Sequence, residues 1–149
     1  MPDVKFFWVG GIPFKNLGAD YNAMQNMIKN APNNLTVTGV IPLENVRDYY
    51  VAADVFVLPA MQENHPMCVL EAAGAGLPII LRDIPQYNDT FKGDAVMAKT
   101  DDGFLELISK LRKDKKAYKK AQLGAEKIAE RFNSSAGAER LVEFYRSLI

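Results

Sequence analysis

Residues 54–80 read DVFVLPAMQENHPMCVLEAAGAGLPII, and this stretch decides the fold class. The run Asp54–Leu58 is almost continuously apolar and ends at a proline, which is typical of a strand that is covered on both faces. Met67–Ala75 follows as a helix rich in Ala and Leu, and glycine and proline end it before the strand Ile79–Leu81. A strand, a helix and a second strand in this order predict a parallel pair joined by a right-handed crossover.

The same alternation extends on both sides of this stretch. On the N-terminal side the periodicity predicts strands at Val4–Val9 and Leu35–Thr38, helices at Asp20–Lys29 and Asn45–Ala53, and a loop over Gly11–Gly18. On the C-terminal side it predicts a short strand at Ala95–Ala98 and then three helices, which are FLELISKLRK capped by Asp101-Asp102, Lys115–Phe132, and AERLVEFYRSLI after an Asn133-Ser134-Ser135 cap. The pattern therefore predicts an α/β domain with a Rossmann-like parallel sheet, helices on both faces and C-terminal helices.

Length and composition restrict the classes of function. The 149 residues fit one domain, residues 1–149, and 48% of them are hydrophobic. The 18 basic and 18 acidic residues cancel, so no overall field attracts nucleic acid, which is not an expected partner. A single cysteine forms no internal disulfide, and no apolar window approaches the roughly 20 residues of a membrane span. We therefore expect a cytoplasmic protein.

Glu63 and Glu71 are candidate ligand-binding residues because ligands bind at the carboxyl ends of parallel strands. The first-turn amides of Met67, Cys68 and Val69 lack intrahelical partners, and with the helix dipole they predict a phosphate site. Glu71 lies one turn beyond Met67 on the same face, and Glu63 precedes the helix. Because a carboxylate accepts hydrogen bonds from two adjacent hydroxyls, a ligand of the type sugar–diphosphate–ribose suits this arrangement. The sequence has no zinc-ligand spacing, and we expect neither a metal nor a cofactor.

The spacing Glu63-x7-Glu71, in its context of strand, proline, loop and helix, resembles the signature of family 4 retaining glycosyltransferases, which have the two-domain GT-B fold. Three further segments resemble the family in the same order, namely VKFFWVGG, VTGVIPLENVRDYYVAADVFVLP and LPIILRDIP. The resemblance implies that the chain is the C-terminal domain that binds the nucleotide sugar. Since a strand begins after only three residues, we expect that the N-terminal acceptor domain of the same protein is absent from this chain.

The resemblance also implies residue roles. Glu63 would bond hydroxyls of the donor sugar and is the candidate catalytic residue, whereas Glu71 would bind the ribose. The other implied donor-binding positions are His65, Pro66, Met67, Cys68 and Val69 at the helix start, and Gly39, Val40 and Ile41 in the loop that would border the base. Enzymes of this kind need no metal at the diphosphate and retain the anomeric configuration. The family's diphosphate-binding Arg and Lys have no counterpart here, so we expect this chain alone to be inactive.

The acceptor is also implied by resemblance. The segment LRDIP after an E-N-x-P motif is similar to Gram-positive glucosyltransferases that build diacylglycerol glycolipids. We therefore expect an enzyme of glycolipid biosynthesis that transfers a hexose, glucose from UDP-glucose, to a diacylglycerol-type lipid. Such an enzyme would contact the inner face of the membrane peripherally. A non-catalytic Rossmann-like module for protein interaction or regulation is the alternative.

Three further features have open interpretations. Arg82-Asp83 follows a strand at the ligand edge, where either residue reaches the donor or the absent acceptor domain, or the two form a simple surface pair. The basic run RKDKKAYKK over 112–120 favours a solvated helix junction over contact with anionic lipid. Cys68 is interpreted as a small buried side chain whose thiol pKa the helix dipole lowers.

Overall fold

The computed structural model describes residues 1–12 and 21–148, and these fall into two compact units, Met1–Tyr49 and Tyr50–Ile149. The elements are β1 (Phe6–Trp8), α1 (Tyr21–Lys29), β2 (Leu35–Val37), α2 (Leu43–Ala52), β3 (Phe56–Leu58), α3 (Met67–Gly74), β4 (Ile79–Arg82), β5 (Val96–Ala98), α4 (Asp101–Lys113), α5 (Lys115–Arg131) and α6 (Ser134–Arg146). Parallel strands flanked by helices confirm the predicted α/β class. The predicted Gly11–Gly18 loop, beyond position 12, and the predicted helix start at Asp20 lie outside the described residues.

The first unit contains a parallel pair of strands. Phe6 of β1 lies opposite Leu35 of β2, and the register continues to the strand ends. Beyond β1, the Gly10 N–H donates to the Thr38 hydroxyl at 3.1 Å. A Cβ on Gly11 would lie 3.2 Å from the Val40 side chain, which is closer than ordinary contact. The loops that follow the two strands therefore lie side by side.

The second unit contains a parallel three-stranded sheet in the order β3-β4-β5. Ile79, Ile80 and Leu81 of the middle strand β4 are fully buried. The strand β3 is only half-buried along its length, so the prediction that β3 is covered on both faces is wrong. Its apolar run belongs to an outer strand of this sheet, whereas β4 has a hydrogen-bonded neighbour on each side.

The buried core of the second unit lies between the sheet and two helices. The helix α5 packs against α3 and contacts β4. Val69 and Ala72 of α3 meet Ala125 and Ile128 of α5 in one buried cluster. Small alanine side chains let the two helix backbones approach closely, and this contact fixes the position of α3.

Two helix boundaries depend on local chemistry. The helix α4 is capped by Thr100, whose hydroxyl accepts a hydrogen bond from the Gly103 N–H at 3.1 Å. The predicted Asp101-Asp102 cap is therefore wrong, because both residues already lie in the first helical turn, where their charges face the positive end of the helix dipole. Of the predicted Asn133-Ser134-Ser135 cap of α6, Asn133 is confirmed as the N-cap because its side chain accepts hydrogen bonds from the Ser135 and Ala136 N–H groups, whereas Ser134 and Ser135 already lie in the helix.

Candidate functional site

The start of α3 lies just beyond the carboxyl end of β3. Pro66 is buried and occupies the N-cap position in an extended conformation, and α3 begins at Met67. The Val69 N–H donates to the Pro66 carbonyl at 3.1 Å, and Val69 itself is fully buried. Met67 and Cys68 occupy the first two helical positions, whose N–H groups have no intrahelical carbonyl to bind. This end of the helix therefore offers the amides of Met67 and Cys68 to an anion.

Two carboxylates, those of Glu63 and Glu71, lie near this helix start. Burial raises the pKa of the half-buried Cys68 thiol, and the negative charges of Glu63 and Glu71 raise it further. The predicted lowering by the helix dipole is therefore wrong, because desolvation and two nearby carboxylates outweigh it. Glu63 in the loop and Glu71 in the helix therefore both lie near enough to Cys68 to affect its pKa.

Glu71 has a defined partner. Its carboxylate accepts a hydrogen bond from the Tyr50 hydroxyl at 2.8 Å. Burial, followed by the Glu71 carboxylate, raises the pKa of Tyr50 above its ordinary value, so the hydroxyl keeps its proton and acts as a donor. Tyr50 therefore holds one carboxylate oxygen of Glu71 in place.

The loop that carries Glu63 is anchored where it leaves β3. The Arg82 Nε donates to the Pro59 carbonyl at 3.0 Å, and the guanidinium lies 5.1 Å from the Phe104 ring centroid. Arg82 also forms an ion pair with Asp101 at 2.5 Å. The interpretation of Arg82-Asp83 as a simple surface pair is therefore wrong, because the Arg82 side chain is only 11% exposed and pairs with Asp101, whereas Asp83 pairs with Lys92 at 3.5 Å.

The other end of the same loop is anchored by His65. Its ring stacks on Phe91 with a centroid distance of 5.7 Å and lies 5.1 Å from the ring of Phe132. His65 is nevertheless exposed, so part of its side chain faces solvent. His65, two residues after the half-buried Glu63, is therefore a stacked aromatic ring at the end of the loop.

The remaining predicted positions follow β2 in the first unit. Gly39 has a φ of 69°, in the left-handed region that favours glycine, and its neighbour Val40 is 89% exposed. Ile41 is half-buried. These residues form an open turn at the carboxyl end of a parallel strand, where a flat ligand can approach backbone atoms.

Sequence reasoning missed the partners that hold these side chains. Tyr50 is 21 residues from its partner Glu71. Phe91 and Phe132 lie still farther along the chain from their partner His65. Tyr50 fits the apolar face of its own helix, so its role as a donor to Glu71 has no local signal. Such pairs become visible only when the helices and strands are packed.

Two properties of residues 1–12 and 21–148 bear on the expected metal-free site and on the expected membrane contact. Neither a cluster of three or more His, Cys, Asp or Glu side chains fit for a metal ion, nor a helix long and apolar enough to cross a bilayer, occurs in these ranges. The metal-free site and the cytoplasmic location stay predictions.

Comparison with known proteins agrees with the geometry. Over 145 residues, or 97% of the chain, the sequence is 28% identical to an alpha-galactosylglucosyldiacylglycerol synthase of Streptococcus pneumoniae, of which it covers 39%. It is also 32% identical over 89 residues, 60% of the chain, to a processive diacylglycerol alpha-glucosyltransferase of Acholeplasma laidlawii, of which it covers 26%. The chain thus spans less than half the length of these curated relatives.

Solved structures show the same fold. Anabaena Alr3699/HepE, solved in complex with UDP-glucose, superposes with a TM-score of 0.79 over 99% of this chain and 42% of its own, at 16% identity. This likeness confirms the predicted GT-B type of Rossmann-like domain. The family model described as glycosyl transferases group 1 matches residues 1–114. The chain therefore belongs to the group 1 glycosyl transferase family, as its Glu63-x7-Glu71 motif predicts.

Proposed function

We propose that the chain is the donor-binding half of a retaining hexosyltransferase that transfers glucose from UDP-glucose to a diacylglycerol-type lipid. The observation that carries the proposal is that Glu63 and Glu71 both lie near Cys68 at the start of α3. A helix start between two carboxylates suits a ligand with a central diphosphate and a hydroxyl-bearing ring on each side.

The chemistry assigned to each group follows from its environment. The amides of Met67 and Cys68 and the helix dipole stabilise the negative charge that develops on the leaving diphosphate, without a metal. Glu71, held by Tyr50 at 2.8 Å, accepts hydrogen bonds from the ribose hydroxyls. Glu63 accepts hydrogen bonds from hydroxyls of the transferred sugar. The acceptor lipid is held by an N-terminal domain of the same protein, and the positioned donor reacts there with retention of configuration.

A lipid acceptor is supported by two relatives, which are glycosyltransferases of diacylglycerol lipids by name, and by one surface of α5. The buried side of this helix consists of Ala121, Gly124, Ala125 and Ile128. A set of exposed lysines points the opposite way and is called the lysine face, and its members are Lys115, Lys116, Lys119 and Lys120. An anionic lipid surface attracts such a cluster by about 1 kcal/mol per cation. We propose that the protein contacts the inner face of the membrane peripherally and that this face contributes to the contact.

Calorimetric titration of the chain with UDP and with UDP-glucose tests donor binding. Hydrogen bonds to a charged group contribute about 1.5–3 kcal/mol, so Glu71→Gln should weaken the binding of both ligands about tenfold or more. Glu63→Gln should weaken UDP-glucose but leave UDP unchanged, because UDP carries no transferred sugar.

The matched control is Glu106→Gln, which makes the same substitution at an exposed position of α4. It should leave both affinities unchanged. No heat with either ligand would contradict the proposal and favour a non-catalytic interaction module. An equal loss of affinity in the control variant would contradict the roles assigned to Glu63 and Glu71.

A further inference from the structure

The Tyr87 hydroxyl is a buried polar group without a partner. Tyr87 follows β4 in a 3₁₀ helix, Pro85–Tyr87, and its side chain is fully buried. Within the described part of the chain, its hydroxyl oxygen makes no hydrogen bond. A buried hydroxyl without a hydrogen bond costs about 1–3 kcal/mol, so a group of this kind requires an explanation.

The position of Tyr87 relates it to the loop of Glu63. Its ring packs edge to face against Phe91 at a centroid distance of 5.4 Å, and Phe91 stacks on His65 at 5.7 Å. His65 is two residues from Glu63 in the same loop. The buried rings of Tyr87 and Phe91 are therefore in direct contact, and Phe91 connects them to His65 in this loop.

The protonation state of Tyr87 makes it a donor. Burial raises its pKa to about 12, and the negative charge of Glu63 contributes to the shift. The hydroxyl therefore keeps its proton at neutral pH. Glu63, which is half-buried nearby, is a carboxylate that can accept that hydrogen bond.

We propose that the buried, unpartnered Tyr87 hydroxyl positions Glu63 by donating a hydrogen bond to its carboxylate when a donor sugar occupies the site. This inference rests on the proposed function, since it concerns the sugar-binding carboxylate of that site. A carboxylate has about four lone-pair positions, so one oxygen accepts from Tyr87 while the other accepts from a sugar hydroxyl. Tyr87 is thus a positioning residue that affects recognition of the transferred sugar but not of the nucleotide.

The variant Tyr87→Phe tests the inference because it removes only the hydroxyl and keeps the buried ring. Calorimetric titration with UDP-glucose should show about a tenfold loss of affinity, whereas the affinity for UDP should stay unchanged. Thermal unfolding should show no loss of stability, since the variant removes a hydroxyl that is unpaired in the free protein. The matched control is Tyr145→Phe on α6, where the side chain is 59% exposed, and it should change neither affinity.

The outcomes separate the inference from the function on which it rests. Unchanged UDP-glucose affinity in Tyr87→Phe, together with a loss in Glu63→Gln, would overturn the role of Tyr87 and leave the donor site intact. An equal loss for UDP and UDP-glucose in Tyr87→Phe would also overturn it, since this result indicates a general disturbance. Absence of binding by the wild-type chain would overturn both the inference and the proposed function.

Discussion

Gly124 lies in the interior of α5, and replacing it with alanine sets two effects against each other. In an exposed helix, alanine is more favourable than glycine by about 1 kcal/mol, so helix propensity alone predicts that Gly124→Ala stabilises the protein. At this position, however, the added Cβ would lie 2.0 Å from the carbonyl oxygen of Asp94. The sign of the change depends on which effect is larger.

The distances favour destabilisation. Ordinary contact begins at 3.4 Å, so α5 and the backbone at Asp94 must separate by more than 1 Å. The atom in the way belongs to the main chain, and Asp94 also forms a 2.6 Å ion pair with Arg131 farther along α5. Overpacking costs about 1–3 kcal/mol, and a clash with a main-chain atom falls at the upper end of this range, so a net loss of about 2 kcal/mol remains after the propensity gain of about 1 kcal/mol. For a chain of this length, such a loss lowers the Tm by about 4–8 °C.

Thermal and urea unfolding measure this effect directly. The matched control is Gly137→Ala in α6, where a Cβ would meet no atom within 4 Å, so only the propensity gain applies and the Tm should stay constant or rise. If Gly124→Ala raised the Tm as much as Gly137→Ala does, the close packing of α5 against Asp94 would be refuted.

Two further predictions concern the site and the membrane. Because burial and then the charges of Glu63 and Glu71 raise the pKa of Cys68, its alkylation by iodoacetamide should have a pH midpoint above that of free cysteine; a midpoint at or below the free value would show that the helix dipole prevails. Replacing all four residues of the lysine face with glutamine should abolish co-sedimentation with phosphatidylglycerol vesicles at low salt, while Lys29→Gln with Lys99→Gln should not; equal binding by both variants would exclude this face as the contact.

The sequence predicts the strong periodic elements of this fold well. The helices α4, α5 and α6 have long stretches of helical spacing and polar caps, and their bounds agree with the structure within a few residues. Strand burial was less predictable, because β3 and β4 have nearly the same apolar composition. Only the pairing order shows that β4 is the middle strand of its sheet and therefore the more deeply buried.

The segment after β4 lacked any sequence-based prediction. The residues DIPQYNDTFKGD, 83–94, are rich in proline, asparagine, aspartate and glycine and have no apolar periodicity. Tyr87 and Phe91 in this segment are nevertheless fully buried. Two aromatic residues within a polar stretch give no periodic signal, and their burial depends on α3 and α5, which are distant in sequence.

In the candidate site, too, local periodicity predicts one residue and long-range packing determines the other. Glu71 could be placed from the sequence, because the helical period fixes it one turn beyond Met67 once the helix start is known. The position of Glu63 has no such rule, since it lies in a loop. In the structure this loop is fixed at one end by Arg82 on the Pro59 carbonyl and at the other by the stacking of His65. Both contacts that fix the loop involve residues distant in sequence. The motif spacing therefore identifies the two carboxylates, whereas packing determines that Glu63 lies near the start of α3. These contacts also explain His65, whose stacked ring holds this end of the loop.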